Sequence, residues 1–238
     1  MAVRKLVLWD VDHTLIETRG VGRELFRDAF KGATGRDLEH AATVTGRTER
    51  IIFRETVEMH SIPYTPELFD RYADLLARGY RVRIAELARR GRALPGAVDT
   101  IAALADVGII VQSVLTGNLR SVAETKLTTF GVNIGLDLDV GAYGCDDDVR
   151  AELVRVAQRR AYEKYGTRFE ADTTVVIGDT PSDIAAAHEG GARVIAVASG
   201  KSTLEELAQA GADLVLAGLE NTVVVMEAVV RLTRQDRA

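Results

Sequence analysis

The chain has 238 residues and a formal net charge of −5, a length that suits one or two domains. Hydrophobic residues make up 47% and charged residues 27% of it, the balance of a globular chain, which excludes disordered and fibrous classes. Its one cysteine, Cys145, excludes a disulfide-stapled secreted scaffold, and the net acidity argues against nucleic acid as a main partner.

The longest apolar runs, such as Val223–Met226 and Val194–Ala198, fall far short of the roughly 20 residues that span a bilayer. Near the start, Leu6–Trp9 follows Arg4 and Lys5 but is cut off by Asp10, too short for the apolar core of a secretory leader. The expectation is a reduced, cytoplasmic protein with no membrane partner. Charge is uneven along the chain: from Thr18 to Arg92 there are 15 Lys and Arg against 11 Asp and Glu, a balance of +4 that leaves −9 for the remainder. An acidic body with a basic insertion can hold a metal in one part and steer anions with the other.

In chain order, Leu6–Trp9 is a short apolar run that reads as a strand buried on both faces. The segment from Gly20 to Arg92 then shows helical stripes and no strand pattern. Val21, Leu25, Phe26, Ala29 and Phe30 form one stripe, and Leu68, Tyr72, Leu75 and Leu76 another. Thr65-Pro66 suits an N-cap and first helical position. Leu94-Pro95-Gly96 reads as the linker that returns the chain to the sheet. Beyond it, strands are expected at Ile109–Leu115, Thr174–Ile177 and Val194–Val197, with weaker ones at Leu138–Val140 and Asp213–Leu216. Helices are expected near Val98–Ala105, Val122–Phe130, Ala151–Tyr165, Asp183–Glu189, Leu204–Ala210 and Val223–Leu232. This alternation predicts a three-layer α/β fold with a parallel sheet and right-handed crossovers, interrupted by a helical subdomain with its own small core.

Ligands of parallel α/β sheets bind beyond the carboxyl ends of the strands, and three predicted strands end in acidic or hydroxyl clusters. Asp10-Val11-Asp12-His13-Thr14 follows the first, Thr116-Gly117-Asn118 the second, and Gly178-Asp179-Thr180-Pro181-Ser182-Asp183 a later one. Each alone is explained by helix capping. Together they are not, because Asp10 ends an apolar strand two residues from a second carboxylate, where repulsion and desolvation both cost stability. A divalent cation removes that cost, and carboxylates with a few waters are what Mg²⁺ accepts.

These residues resemble the haloacid-dehalogenase-like hydrolase superfamily. Asp-x-Asp-x-Thr after the first strand, Thr after the second and Gly-Asp-x-x-x-Asp after a later strand are similar to its motifs. The helical insertion resembles its helical-cap branch, which includes phosphoglycolate phosphatases and β-phosphoglucomutases. The resemblance covers nearly the whole chain and implies a Rossmann-like core over 1–17 and 93–238 with a helical cap over 18–92.

It also implies roles. Asp10 is the expected nucleophile, since the aspartyl-phosphate formed by a carboxylate is easily hydrolysed, and Asp12 the expected general acid and base. Help of that kind is worth about 10²–10⁴ in rate. Asp12 argues against the dehalogenase reaction, which needs no leaving-group acid. Thr116 is expected to hydrogen-bond the phosphoryl oxygens, with backbone N–H groups of Gly117 and Asn118 beside it. Mg²⁺ is expected on the Asp10 carboxylate, the Asp12 backbone carbonyl and Asp179, with Asp183 in support, one helical turn beyond Asp179.

Two positions depart from the family pattern. His13 stands where the family usually has Gly and reads as a tolerated turn residue. The family Lys that neutralises nucleophile and phosphate has no counterpart in a Lys-Pro pair. Lys126 lies in the helix after the second strand and Lys164 at the far end of the next long helix. Arg150, at the start of that long helix, is the expected substitute, and Asp146–Asp148 before it read as a helix cap. In the insertion, Gly46-Arg47-Thr48 at a helix start offers a cation and N–H groups, so Arg47 is an expected substrate contact.

The function expected is a Mg²⁺-dependent phosphomonoesterase of a small phosphorylated metabolite, phosphoglycolate-like or a sugar phosphate. A phosphomutase and a non-catalytic regulatory protein are the alternatives. Nothing in the sequence addresses oligomeric state.

Overall fold

The computed structural model describes residues 4–233. The first and last few residues of the expected core, 1–3 and 234–238, lie outside the described residues. The chain opens with β1 (Lys5–Trp9), continues through β2 (Ile16–Glu17) and enters four helices, α1 (Val21–Thr34), α2 (Glu49–Met59), α3 (Pro66–Val82) and α4 (Ile84–Arg90). It leaves them through β3 (Arg92–Ala93), then runs α5 (Ala97–Ala105), β4 (Ile110–Val114), α6 (Arg120–Thr129), α7 (Arg150–Tyr165) and β5 (Thr174–Gly178). The remainder is α8 (Pro181–Gly190), β6 (Arg193–Val197), α9 (Leu204–Gln209), β7 (Leu214–Leu216) and α10 (Thr222–Leu232).

Five strands form one parallel sheet in the order β4-β1-β5-β6-β7, a Rossmann-like α/β layer interrupted by helices. Period-2 alternation sends β1 side chains to opposite faces. Val7 and Trp9 join Ile101, Leu104 and Val229 on one side, whereas Leu6 and Leu8 join Leu153, Ala157 and Ile184 on the other. Both faces are covered, so the strands are mostly apolar, and the buried polar side chains of β4 are satisfied: Gln112 accepts from Trp9 Nε1 and donates to the Ile101 carbonyl, and Ser113 donates to the Asp137 carbonyl.

The helical insertion packs around Leu25, Phe30, Phe53, Phe69 and Tyr72, and this cluster also takes in Leu119 and Val122 of the α6 region. Phe53 stacks on Tyr72 with ring centroids 4.2 Å apart, and truncating such a buried ring costs about 3–5 kcal/mol. The insertion therefore shares apolar contacts with the α/β layer. The short antiparallel pair of β2 and β3 closes it at both ends; two-residue strands carry no alternation that a sequence reading can detect.

One expected strand is corrected. Leu138–Val140 is a turn of 3₁₀-helix. The Asp137 side chain accepts from the Asp139 backbone N–H, an Asx-type bond that competes with strand pairing. The segment meets the sheet edge at two points: Asp137 N–H donates to the Gln112 carbonyl at 2.8 Å, and an isolated parallel bridge joins Leu115 and Ala142. Among the described residues no helix is long and apolar enough to cross a membrane.

Candidate active site

β1 lies between β4 and β5, so the loops that follow these three strands are neighbours at one sheet edge. Asp10 N–H donates to the Ile177 carbonyl at 2.8 Å, and Leu115 N–H to the Trp9 carbonyl at 2.8 Å. The sheet ladder thus runs into the first residues of the candidate site and fixes their height.

Asp10, Asp179 and Asp183 are all buried there, each with a carboxylate oxygen within 4.8 Å of the others. Arg150, from the first position of α7, reaches in with Nη2 and donates to Asp10 Oδ1 at 2.8 Å and to Asp183 Oδ1. Asp179 accepts from Thr14 Oγ1 at 3.1 Å. Asp183 serves twice. Its Oδ2 takes the Thr180 N–H at 3.0 Å and the Thr180 hydroxyl at 2.6 Å, completing the capping box of α8, which leaves Oδ1 for the site. Asp179 is not helical, so the two meet because Thr180 and Pro181 turn the chain into α8, not through helical periodicity.

Burial pushes the Asp10 carboxyl well above the usual range. Arg150 opposes that, and Asp183, Asp179 and Asp12 add to it. Burial and then Asp183 raise Asp179 to about 6, against the Thr14 hydrogen bond. Three buried carboxylates facing one guanidinium leave uncompensated negative charge, which the low local dielectric makes costly. A divalent cation fits this donor set, because hard all-oxygen carboxylate sites suit such ions. Arg150 Nε is buried with no hydrogen-bond partner among the described residues, which leaves one donor of the guanidinium unsatisfied. Gly200, in the loop after β6, makes room for Asp179, as a Cβ there would stand 1.8 Å from Asp179 Oδ2.

The Asp12 side chain belongs to a second cluster. Its carboxylate accepts from Lys126 Nζ at 2.9 and 2.7 Å and from Asn118 Nδ2 at 2.7 Å. Burial pushes it up, but Lys126 and Asn118 outweigh that and hold it below the ordinary carboxylate range. Asn118 Nδ2 also reaches Thr116 Oγ1 at 2.7 Å, so Thr116, Asn118 and Asp12 form one network. His13 has φ of +64°, a left-handed turn position that glycine adopts without cost.

Arg47 pairs with Glu55, one hydrogen bond being 2.7 Å, while its backbone carbonyl packs on Gly117. Lys164 pairs with Asp137 at 2.8 Å. Asp146–Asp148 do not supply the N-cap of α7, which is Val149 and whose side chain makes no capping bond; Asp147 Oδ1 accepts the Val149 N–H at 2.8 Å, just ahead of the helix. Asp146 instead pairs with Arg160, and Asp148 with Arg50 and Arg54. Sequence reading passed over Lys126 as a partner of Asp12. Its signal was present, since it shares the buried stripe of α6 with Val122, Ala123 and Leu127. Gly200 gave none.

The class the fold and site fit is a parallel α/β protein with an acidic, cation-buttressed cluster at its strand ends. The family model for haloacid dehalogenase-like hydrolase matches residues 7–188, and the chain belongs to that family. No curated protein sequence matches the chain at a significant level. Among solved structures, it is similar to a predicted phosphoglycolate phosphatase from Haemophilus somnus 129PT. The TM-score is 0.68 at 18% identity, covering 95% of this chain and 99% of that one. A family IA, variant 3 hydrolase from Entamoeba histolytica matches with TM-score 0.68 at 20% identity over 97% and 100%. CbbY from Rhodobacter sphaeroides, in complex with phosphate, matches with TM-score 0.63 at 21% identity over 92% and 96%.

Proposed function

We propose that the chain is a Mg²⁺-dependent phosphomonoesterase acting on a small phosphorylated metabolite, phosphoglycolate-like or a sugar phosphate, in the cytoplasm. The observation that carries this reading is the set of three buried carboxylates around Arg150, whose Nε has no acceptor of its own. Structural neighbours named as a predicted phosphoglycolate phosphatase, and as CbbY in complexes with phosphate and with xylulose-(1,5)-bisphosphate, are in keeping with it.

In this reading residues 1–17 and 93–238 form the catalytic core and 18–92 the cap. Asp10 attacks phosphorus and becomes the aspartyl-phosphate. Asp12 donates a proton to the leaving oxygen, then takes one from the attacking water. Thr116 and the N–H groups of Gly117 and Asn118 receive the phosphoryl oxygens, Arg150 offsets their charge, and Arg47 contacts the rest of the substrate once released from Glu55. Asp10, Asp179, Asp183 and the Asp12 backbone carbonyl would hold Mg²⁺. When bound, that ion neutralises the carboxylates and the phosphoryl charge.

The test is phosphate release from an aryl phosphate by the purified chain. Release that needs Mg²⁺ and stops with a chelator supports the reading. Transfer of phosphate between positions of a bisphosphorylated sugar, without release to water, would replace it with a phosphomutase. No turnover on a broad panel of phosphate esters would sink it.

A further inference from the structure

The geometry points to Lys126 as a positioning residue for Asp12, aligning its carboxyl for proton transfer; this rests on the phosphomonoesterase reading. Lys126 is only 4% exposed, and a buried ammonium is tolerated only when its donors are satisfied. All three have acceptors here: Asp12 Oδ1 at 2.9 Å, Asp12 Oδ2 at 2.7 Å and Asn118 Oδ1 at 2.7 Å. The Asn118 amide is itself fixed, because Oδ1 receives Lys126 while Nδ2 donates to Asp12 Oδ2 and Thr116 Oγ1. The Tyr80 ring of α3 has its centroid 5.3 Å from Nζ.

The result is a carboxyl whose plane is set from α6 by Lys126 and from the loop before α6 by Asn118, not from its own loop. Oδ2 accepts from two donors and Oδ1 from one, so Oδ1 keeps the free lone pair. Asp10 meanwhile has its own cation in Arg150. Two carboxylates two residues apart are thereby kept on separate counter-charges, and Asp12 is not drawn towards Arg150.

A simple stabilising ion pair would use the same contacts, but it would not make activity depend on the leaving group. As an Asp10 oxygen bonds to phosphorus and the ester P–O bond breaks, the proton that Asp12 gained from water in the preceding turnover passes from Oδ1 to the leaving oxygen. In the second half, the Asp12 carboxylate takes a proton from the water that attacks phosphorus, the electron pair of the breaking bond returns to the Asp10 carboxylate, and Asp12 is left protonated for the next turnover. Misplacing a reacting group by about 1 Å costs about 10²-fold, and esters with poor leaving groups would register it most.

The experiment measures kcat and KM for the full chain with Mg²⁺ on a series from 4-nitrophenyl phosphate to alkyl phosphates. Lys126→Met is expected to lose about 100-fold in kcat on alkyl esters and under about tenfold on 4-nitrophenyl phosphate, whose leaving anion needs little protonation, with KM unchanged. Lys126→Arg is expected to recover most of the alkyl-ester rate. An equal loss on every ester, or a change confined to KM, would overturn the inference while leaving the phosphomonoesterase reading intact. If Lys126→Met does not fold, Lys126→Gln carries the same comparison, and failure of both to fold would assign Lys126 to the core and overturn the inference. Absence of phosphate release by the unaltered chain from the whole series would sink the underlying reading, and this one with it.

Discussion

Arg150 Nη2 donates to Asp10 Oδ1 across 2.8 Å, from the start of α7 to the end of β1, with both side chains about nine-tenths buried. The same nitrogen also holds Asp183. Removing one partner of a buried pair leaves the other charge uncompensated. Arg150→Ala is therefore expected to lose at least about tenfold in phosphate release, or about 1.4 kcal/mol of transition-state stabilisation. Arg150→Lys is expected to fall in between, because a point charge replaces a planar fork. Initial rates at saturating Mg²⁺ check both, and an alanine variant within tenfold of the unaltered chain would remove Arg150 from the role proposed for it.

Asp10→Asn tests the nucleophile. The amide keeps the shape and a hydrogen-bonding oxygen but is a poor nucleophile towards phosphorus. It also removes one charge from a crowded acidic cluster, so no large stability loss is expected. Phosphate release should drop to background while the thermal midpoint stays within a few degrees. Activity that survives in a folded variant would exclude an aspartyl-phosphate on this residue.

The raised Asp179 carboxyl, at about 6, gives a pH signature. A carboxyl whose folded value lies above its unfolded value binds more protons when folded, so between about pH 4 and 6 stability falls as pH rises. Asp10, also raised, acts in the same direction, and Asp12, lowered, opposes them. The Asp179 contribution is on the order of 3 kcal/mol. Without divalent ion, the thermal midpoint is expected to be higher at pH 5 than at pH 7. Mg²⁺ binds the ionised carboxylates, so it should raise the midpoint more at pH 7 than at pH 5. A midpoint that Mg²⁺ shifts equally at both pH values would contradict a site built on these carboxylates.

Much of this was legible in sequence because β1, β4 and β5 are short, mostly apolar runs, Gln112 and Ser113 of β4 apart, that give way abruptly to polar residues. The strands Lys5–Trp9, Ile110–Val114 and Thr174–Gly178 follow from that contrast alone. Sequence order could not show that Asp12 turns towards α6 while Asp10 and Asp183 share Arg150, because a carboxylate's partner is fixed by rotamer and by elements more than 100 residues away. Leu138–Val140 was misread for a related reason: Leu-Asp-Val alternates like a strand, but Asp137 captures the local backbone first. Gly200 was invisible, as its importance lies in the space it leaves empty beside Asp179.

That space can be filled. Gly200→Ala would set a Cβ 1.8 Å from Asp179 Oδ2, far inside van der Waals contact, and the carboxylate must rotate away. Asp183, held by Thr180 on its other oxygen, does not follow. The expected result is at least a tenfold rise in the Mg²⁺ concentration for half-maximal activity, about 1.4 kcal/mol, in a folded protein. An unchanged Mg²⁺ requirement would show that Asp179 is not a ligand.

Gly117→Ala probes how closely the insertion must seat on the sheet edge. A Cβ on Gly117 would lie 2.0 Å from the Arg47 carbonyl oxygen, 2.9 Å from its carbon and 3.3 Å from Thr48 Cα. All three are backbone atoms at the entry to α2, so no rotamer change relieves the overlap. The Gly117 carbonyl also accepts the Glu49 N–H at 2.8 Å, which ties the two segments face to face. An added methyl must therefore push α2 away from the loop that carries Thr116 and Asn118, at an overpacking cost of about 1–3 kcal/mol. Because Asn118 also positions Asp12, kcat is expected to fall by about 10²-fold with a smaller rise in KM. Steady-state kinetics beside a denaturant melt would check this. A folded variant with kcat within twofold of the unaltered chain would show that the close seating of Arg47 on Gly117 is a packing detail with no bearing on turnover.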